Sequence, residues 1–410
     1  MDIATLKTLL QKAVDTVTIE HKEQTDQISA WIATRQPQVA PVAMSALIAE
    51  IKRQPDLALF DGKMQVLMNT ASRMEYEILA KWLVIQALQV GTEPALADLE
   101  RYVTQPDFEC LEVRALGGIE TEEPVLLGNG IKLLPFSNAP NSSTKVLLEQ
   151  PSAGVGPIHG PKAALVRTLA RPRIHSNPGE ESSAVVNSTD FASELEDARL
   201  CLTLIGPSGP VGFGSWFSMA DCVPCSPMGW GGGHAAQIEV RGNRKLEANE
   251  YARAREIHEL FLRLSIQDRN RLRVPLQRLN SAIRRHSTVD SAIDLRIALE
   301  AIFLDDSDRE QLTSKLRLRA AKLLGVNEQE RKYFRDLFGK LYDLGSRAVR
   351  DGEVPPKYKG KETRAFLEEG FRHTAKAIEM TIRKQRVGWQ TTFMPQFNHK
   401  AVWAMVVLQQ

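Results

Sequence analysis

The chain has 410 residues, 43% of them hydrophobic and 25% charged, and a formal net charge of +2 at pH 7. This composition is typical of an ordinary globular protein with room for two or three domains. No apolar run approaches the roughly 18 residues that a membrane span needs, and the N-terminus has no apolar core of signal-peptide length. We therefore expect a cytoplasmic protein that contacts no membrane.

Residues 1–100 have helical patterning, clearest at 74–89, and predict an α-helical N-terminal region. From about residue 106 the pattern changes to short β-compatible runs separated by Gly, Pro, Asn and Ser. The runs are FECLEVRAL, PVLLG, GIKLLPF and TKVLLE. We predict a small β-containing segment with a linker over 101–190, in which 171–190 is the loop or linker part.

Two glycine-rich stretches follow, at 206–217 and 226–236. Neither has the Gly-Lys-Ser/Thr of a phosphate loop, so long loops between helices are predicted. Cys222 and Cys225 have the spacing of a zinc or redox pair, but no second such pair accompanies them. We predict no metal and no cofactor, with a metal site at this pair as the open alternative.

Residues 241–290 are basic, with twelve Lys/Arg against six Asp/Glu. One interpretation is a surface that binds a polyanion such as RNA. The other is a helix whose arginine stems cover apolar surface, which the lack of interleaved aromatic residues favours slightly. The candidate RNA-binding residues are Arg269, Arg271, Arg273, Arg284 and Arg285.

Four helices are predicted beyond residue 290. The segment 291–304 is almost wholly apolar, which indicates a buried helix. A basic helix should end at Gly325, and a new helix should start near Asn327, where Glu330 completes a capping-box-like pattern. Its continuation, 333–352, has an apolar stripe at helical spacing and a stop at Gly352. The fourth helix is 363–384.

This order of helices and their sequence motifs resemble the HEPN domain, in particular the ApeA-like branch of bacterial defence and toxin proteins. One block has the form D-L-x-x-A-L-E-A-I-F-L, from Asp294 to Leu304. The other aligns with Y-D-x-R-S-x-x-V-H-[GD] through Tyr342, Asp343, Ser346, Val349 and Gly352. The resemblance covers roughly 190–385 and is strongest over 290–352. It implies a helical bundle, metal-independent RNA cleavage, and dimerisation of the motif helices across a two-fold axis.

The departures fall on the two catalytic positions. The family has an Arg, then four to six variable residues, then a His that assists attack by the RNA 2′-hydroxyl. Here those positions are Gly345 and Arg350. An arginine stays protonated at any working pH, so Arg350 cannot act as a general base. Arg347 is the nearby residue that would have to take over the phosphate-stabilising role.

Three interpretations of this altered site are open. The first is a HEPN domain that binds RNA or a partner without cutting. The second is a reassigned ribonuclease that uses Arg347, Arg350 and a recruited histidine. The third is a solvated face on which Asp343 and Asp351 neutralise the arginines. The candidate catalytic residues are Arg347, Arg350, Asp294, Glu300 and Ser346.

The acids Asp294 and Glu300 are predicted either to pair with Arg347 or Arg350 or to hold two helices in register. In total we predict a mainly α (α+β) protein with a HEPN-like helical domain at 191–388 and a tail at 389–410. The expected partners are RNA and a second copy of the chain. A protein-interaction scaffold that binds an unknown protein and no RNA is the remaining alternative.

Overall fold

The computed structural model describes residues 1–17, 38–67, 70–149, 160–177, 189–220, 222–224, 230–232, 240–305, 308, 310–354 and 361–388. This part of the chain contains twelve α-helices and eleven strands, which confirms the mainly α (α+β) class. The predicted tail at 389–410 lies outside the described residues. None of the described helices is long and apolar enough to cross a bilayer.

Four helices form the N-terminal region and bury a shared apolar core that includes Leu6, Leu47 and Leu83. The third of them confirms the helix predicted at 74–89. Eight of the nine residues from Leu79 to Ala87 are buried, which explains why the pattern is so clear. The helices are α1 (Ile3–Asp15), α2 (Pro41–Arg53), α3 (Tyr76–Val90) and α4 (Thr92–Thr104).

The strands form a six-stranded antiparallel sheet in the order β10-β9-β3-β7-β6-β5, a three-stranded antiparallel sheet β2-β1-β8, and a parallel pair β11-β4. Since β8 pairs with β1, the sheet joins residues on both sides of the predicted boundary at 100; the boundaries themselves stay a prediction. The strands are β1 (Met64–Leu67), β2 (Thr70–Arg73), β3 (Asp107–Gly117), β4 (Ile119–Glu120), β5 (Val125–Leu126), β6 (Lys132–Pro135), β7 (Ala163–Pro172), β8 (Ile174–Ser176), β9 (Val211–Met219), β10 (Trp230–Gly232) and β11 (Arg244–Lys245).

Several local predictions in this region are wrong. The run TKVLLE belongs to a helix, α5 (Ser143–Glu149), because the Ser142 hydroxyl accepts a hydrogen bond from the Lys145 amide and caps its first turn. The glycine-rich stretch 206–217 was predicted as a loop but contains most of β9. Buried Phe213 and Trp216 anchor that strand, while its glycines conceal the usual alternation. The predicted linker 171–190 also contains the end of β7 and all of β8; residues 178–188 lie outside the described part.

The C-terminal half is helical, as predicted. Its helices are α6 (Thr189–Leu202), α7 (Tyr251–Leu262), α8 (Ile266–Arg284), α9 (Thr288–Phe303), α10 (Leu312–Leu324), α11 (Glu328–Asp351) and α12 (Lys361–Lys384). The Asn327 side chain accepts a hydrogen bond from the Glu330 amide at the start of α11, and Gly352 ends that helix at a φ of +67°. Both predicted helix limits are confirmed.

One continuous apolar core joins this bundle to the sheet. Leu133 and Leu165 from the sheet share it with Leu200, Leu276 and Leu299 from the helices. The opposite face of the sheet has a separate, smaller core around Trp216. Helix α8 lies between α6 on one side and α9 on the other. Its exposed side chains therefore form the surface of the bundle between these two helices.

Candidate functional site

The motif helix α11 packs antiparallel against α9. Tyr342 donates a hydrogen bond of 2.9 Å to Glu300 near the end of α9, whereas Gly345, one turn further on, contacts Ala292 and Arg296. A Cβ atom at position 345 would lie 2.5 Å from the Cβ of Arg296 and 2.7 Å from the Ala292 carbonyl oxygen. The position that aligns with the family's arginine is thus a helix contact, not part of an open cleft.

Glu300 takes part in the same contact between α9 and α11. Its carboxylate accepts hydrogen bonds from Arg296 Nε at 3.0 Å and from the Tyr342 hydroxyl. The Arg296 guanidinium also lies 5.1 Å from the centre of the Tyr342 ring. Burial and the hydrogen bond to Glu300 raise the pKa of Tyr342. The predicted pairing of Glu300 with Arg347 or Arg350 is wrong, since Glu300 holds two helices together.

Asp294 is 4% exposed and joins α9 to α8. Its two carboxylate oxygens accept hydrogen bonds from Arg278 Nη1 at 3.0 Å and from Arg285 Nε at 3.2 Å. A buried carboxylate needs such partners because water no longer solvates it. The predicted pairing with Arg347 or Arg350 is wrong here too, and the alternative, a pair that keeps helices in register, is confirmed.

The arginines on α11 pair with acids of their own helix. Arg347 Nε is 3.2 Å from Asp343, and Arg350 Nε is 2.9 Å from Asp351. The latter pair raises the pKa of Arg350 and lowers the pKa of Asp351. The Ser346 hydroxyl donates a 2.7 Å hydrogen bond to the Tyr342 carbonyl within the helix. This geometry is the one that the third interpretation, a neutralised solvated face, predicts.

A histidine recruited to this place would have to lie near the end of α11. His373 does not, because its Nε2 is 3.2 Å from the Tyr333 hydroxyl near the start of that helix. Fourteen residues separate positions 333 and 347, about 21 Å along a helix axis. His286, which the sequence reading overlooked, is exposed in the connection between α8 and α9. The antiparallel packing puts that connection at the same end of the bundle as the last turn of α11.

Other histidines are remote or outside the described residues. His258 is fully buried beside Gly128, and burial lowers its pKa to about 4. His175 lies against Phe60 and Tyr102 in the N-terminal half, with a pKa also lowered to about 4, mainly by burial. His159 and His234 lie outside the described part, as does Cys225.

Two of the five predicted RNA-binding arginines pair with one buried acid of α6. Asp197 of α6 is fully buried, and Arg273 binds both of its oxygens at 2.6 and 2.8 Å. Arg269 lies 3.7 Å from the same carboxylate. Asp197 raises the pKa of Arg273. Because these two arginines neutralise a buried acid, we do not propose that they contact RNA phosphates.

Two other arginines, Arg271 and Arg278, lie on one stripe of α8, and Arg285, the residue directly after its last turn, continues that stripe. Arg271, Arg278 and Arg285 are seven residues apart, a spacing that returns to nearly the same side of a helix about every 10.5 Å. Arg271 is exposed, and the side chains of Arg278 and Arg285 are 47% and 43% exposed. Among the described residues, Asp294 pairs with Arg278 and Arg285. The positive charge at the surface of the stripe therefore comes mainly from exposed Arg271 and from the exposed part of Arg278.

A concavity of about 300 Å³ lies beside this stripe, between α6 and α8. It is lined by Arg199, Gln277, Arg278, Asn280, Ser281 and Arg284. These described lining residues combine three guanidinium groups with neutral polar side chains, and none of them is a carboxylate. We call it the arginine pocket. The sequence reading missed Arg199 and Arg278 because nothing in the pattern brings α6 against α8.

Among the described residues, no group of three His, Cys, Asp or Glu side chains is placed to hold a metal ion. No family model, no curated protein and no solved structure matches this chain. The resemblance to HEPN domains therefore rests on the residues themselves.

Proposed function

We propose that this protein binds RNA along α8 and does not cut it. The observation that carries the proposal is the stripe formed by Arg271, Arg278 and Arg285, with the arginine pocket beside it. Rows of arginine attract the phosphate backbone of a nucleic acid irrespective of its sequence.

The lack of cleavage is inferred from the motif helix. Gly345 provides no guanidinium for a transition state, and the space beside it is filled by α9. Arg350 stays charged and cannot accept the proton of a 2′-hydroxyl. Arg347 is paired with Asp343, which weakens it as a phosphate ligand. Binding without chemistry fits these three positions together.

The HEPN-like sequence motifs of residues 290–352 favour RNA over other polyanions as the ligand. The same resemblance supports a role in a bacterial antiviral defence or toxin system. There, an RNA-associated protein without nuclease activity would hold RNA or present it to a partner protein. The arginine stripe supports binding of a polyanion, and the resemblance adds only the choice of RNA as that polyanion.

A homodimer through α11 is part of the proposal. The last turns of this helix present Asp343, Arg347 and Val349 to solvent, and Val349 is 55% exposed. Across a two-fold axis, Asp343 of one copy can meet Arg347 of the other while the valines pack together. Light scattering at micromolar concentration should give twice the chain mass of 45.7 kDa. A single-chain mass would contradict the dimer.

The salt dependence of binding tests the proposed function. Single-stranded RNA should bind with an affinity that falls steeply as salt rises, with a slope of about −0.7 per phosphate contact on a log–log plot. Arg271→Gln should weaken binding and make the slope less steep by about 0.7. The control is Arg255→Gln on α7, where Glu259 already pairs with the arginine at 2.7 Å. RNA binding that ignores both salt and Arg271→Gln would overturn the proposal.

A reassigned endoribonuclease is the second candidate, and one observation favours it. His286 is exposed at the end of the bundle where α11 places Arg347 and Arg350. A nuclease built from these residues should lose its activity in His286→Ala. RNA cleavage by wild type with that dependence would establish this alternative.

A further inference from the structure

We infer that the arginine pocket binds a phosphomonoester group, the terminal phosphate of an RNA chain. The inference rests on the proposed function for the source of that phosphate. A free nucleotide carries the same group, so the experiment below separates the two sources. The charge, the shape and the preorganisation of the pocket support it.

The charge of the pocket fits a dianion. Arg199, Arg278 and Arg284 line it, and none of its described lining residues is an acid. Glu196 pairs with both Arg199 and Arg114, and Asp294 pairs with both Arg278 and Arg285, so arginines outnumber acids in these pairs. A guanidinium has five N–H donors. Arg278 donates to Asp294 from one nitrogen, Nη1, so donors of its other nitrogens can bind a ligand. Phosphate oxygens accept such charge-assisted hydrogen bonds in forked pairs, for which arginine is better suited than lysine. A phosphomonoester presents more charge and more free oxygens than a phosphodiester in mid-strand.

The shape of the pocket fits a chain end. Asn280 and Arg199 are 1% and 9% exposed and form its inner part, whereas Gln277 and Arg278 are exposed at its rim. A ligand group must therefore pass Gln277 and Arg278 to reach the inner residues. A volume of about 300 Å³ is at the lower limit of small-molecule sites. A terminal phosphate needs room for one chain that leaves this depression, whereas a phosphate in mid-strand needs room for two.

The inner side chains are held in place before any ligand arrives. Asn280 donates hydrogen bonds to Thr203 and to the Pro210 carbonyl, and its oxygen accepts one from Arg284 Nε at 3.0 Å. Arg199 donates to Glu196 and to the same Pro210 carbonyl. Donors fixed in advance bind more tightly because less side-chain entropy is lost on binding.

Close packing against the loop before β9 also positions Arg284. A Cβ atom at Gly209 would lie 2.6 Å from Arg284 Cγ, so the stem of the arginine rests directly on that glycine. The loop thus supports a pocket residue as well as the sheet. Asn280 and Gly209 are positioning residues, and Arg199, Arg278 and Arg284 are the proposed phosphate ligands.

The test uses three RNAs of one sequence, with a 5′-phosphate, with a 3′-phosphate, or with hydroxyl groups at both ends. At least one phosphorylated RNA should bind wild type about tenfold more tightly than the hydroxyl form, equal to 1.4 kcal/mol. Gln277→Glu puts a carboxylate at the exposed rim and should abolish this preference. Gln267→Glu makes the same charge change on an exposed position of α8 outside the pocket and should keep it.

The outcomes separate this inference from the proposed function. Equal binding of all three RNAs by wild type, or a preference that survives in Gln277→Glu, overturns the pocket assignment, even if salt-sensitive binding still supports the RNA proposal. The opposite result would be no RNA binding, with adenosine monophosphate raising the melting temperature of wild type and not of Gln277→Glu. The pocket would then stand with a free nucleotide as its ligand, and the RNA proposal would fail.

Discussion

Gly345 of α11 and Arg296 of α9 are in such close contact that a Cβ atom at position 345 would stand 2.5 Å from the Cβ of Arg296. The Ala292 carbonyl closes the same space at 2.7 Å. Real Cβ atoms do not approach this closely, so any side chain at 345 forces the helices apart. A packing role thus replaces the chemical role that the resemblance assigns to this position.

Gly345→Ala should destabilise the protein by about 1–3 kcal/mol, because overpacking outweighs the higher helix propensity of alanine. Gly339→Ala is the matched control on the same helix. A Cβ there meets the flexible end of Arg317, which can move. The control should be neutral or more stable by up to about 1 kcal/mol. Urea unfolding of both variants measures the difference, and equal stability would contradict the close contact.

Asp294→Asn should lower stability by about 1–3 kcal/mol, since two guanidiniums lose the charge of a nearly buried carboxylate. Asp343→Asn removes an exposed acid from its pair with Arg347 and should change stability by less than about 0.5 kcal/mol. Thermal unfolding provides the comparison. If the two variants melt alike, Asp294 does not hold α8 to α9.

Arg273 and Arg271 are two residues apart but should respond differently to mutation. Arg273→Ala leaves the fully buried Asp197 without its bidentate partner and should cost about 3–5 kcal/mol. Arg271→Ala removes an exposed side chain and should shift stability by less than about 0.5 kcal/mol. Denaturant midpoints are the measurement. A stable Arg273→Ala protein would argue that Asp197 finds another cation.

The helical half of this fold was predictable because its signals are local. The asparagine cap at Asn327, the stop at Gly352 and the apolar stripe of α11 all lie within a few residues of what they determine. The strand β9 was not predictable in that way, since its anchors Phe213 and Trp216 stand among glycines. Its strand conformation depends on pairing with β3, about a hundred residues earlier.

The chemistry of the site was less predictable than its helices. Sequence reasoning placed Asp294 on a buried helix, but its partners Arg278 and Arg285 depend on how α8 crosses α9. Among the basic residues, Arg271 is exposed whereas Arg273 is bound to buried Asp197. That difference is a tertiary property that the sequence does not reveal. The pocket joins Arg199 of α6 to α8, two segments roughly 80 residues apart in the chain.

Acid should destabilise the protein in part through His258. Burial lowers its folded pKa to about 4, below the unfolded value of 6.5. The unfolded state therefore binds more protons between these values, so stability falls as pH drops from about 6.5 to 4, by about 3 kcal/mol in total. Glu194 and Glu259 nearby oppose the shift and limit it. His258→Gln should flatten this part of the profile of stability against pH. An unchanged profile would show that His258 does not contribute to the loss of stability in acid.

The most direct test of the account follows one labelled single-stranded RNA with wild-type protein, by fluorescence anisotropy and on a denaturing gel from the same samples. The account predicts RNA that is bound at low salt, released as salt rises, and full length throughout. Cleaved RNA, with cleavage lost in His286→Ala or Arg350→Ala, would contradict it.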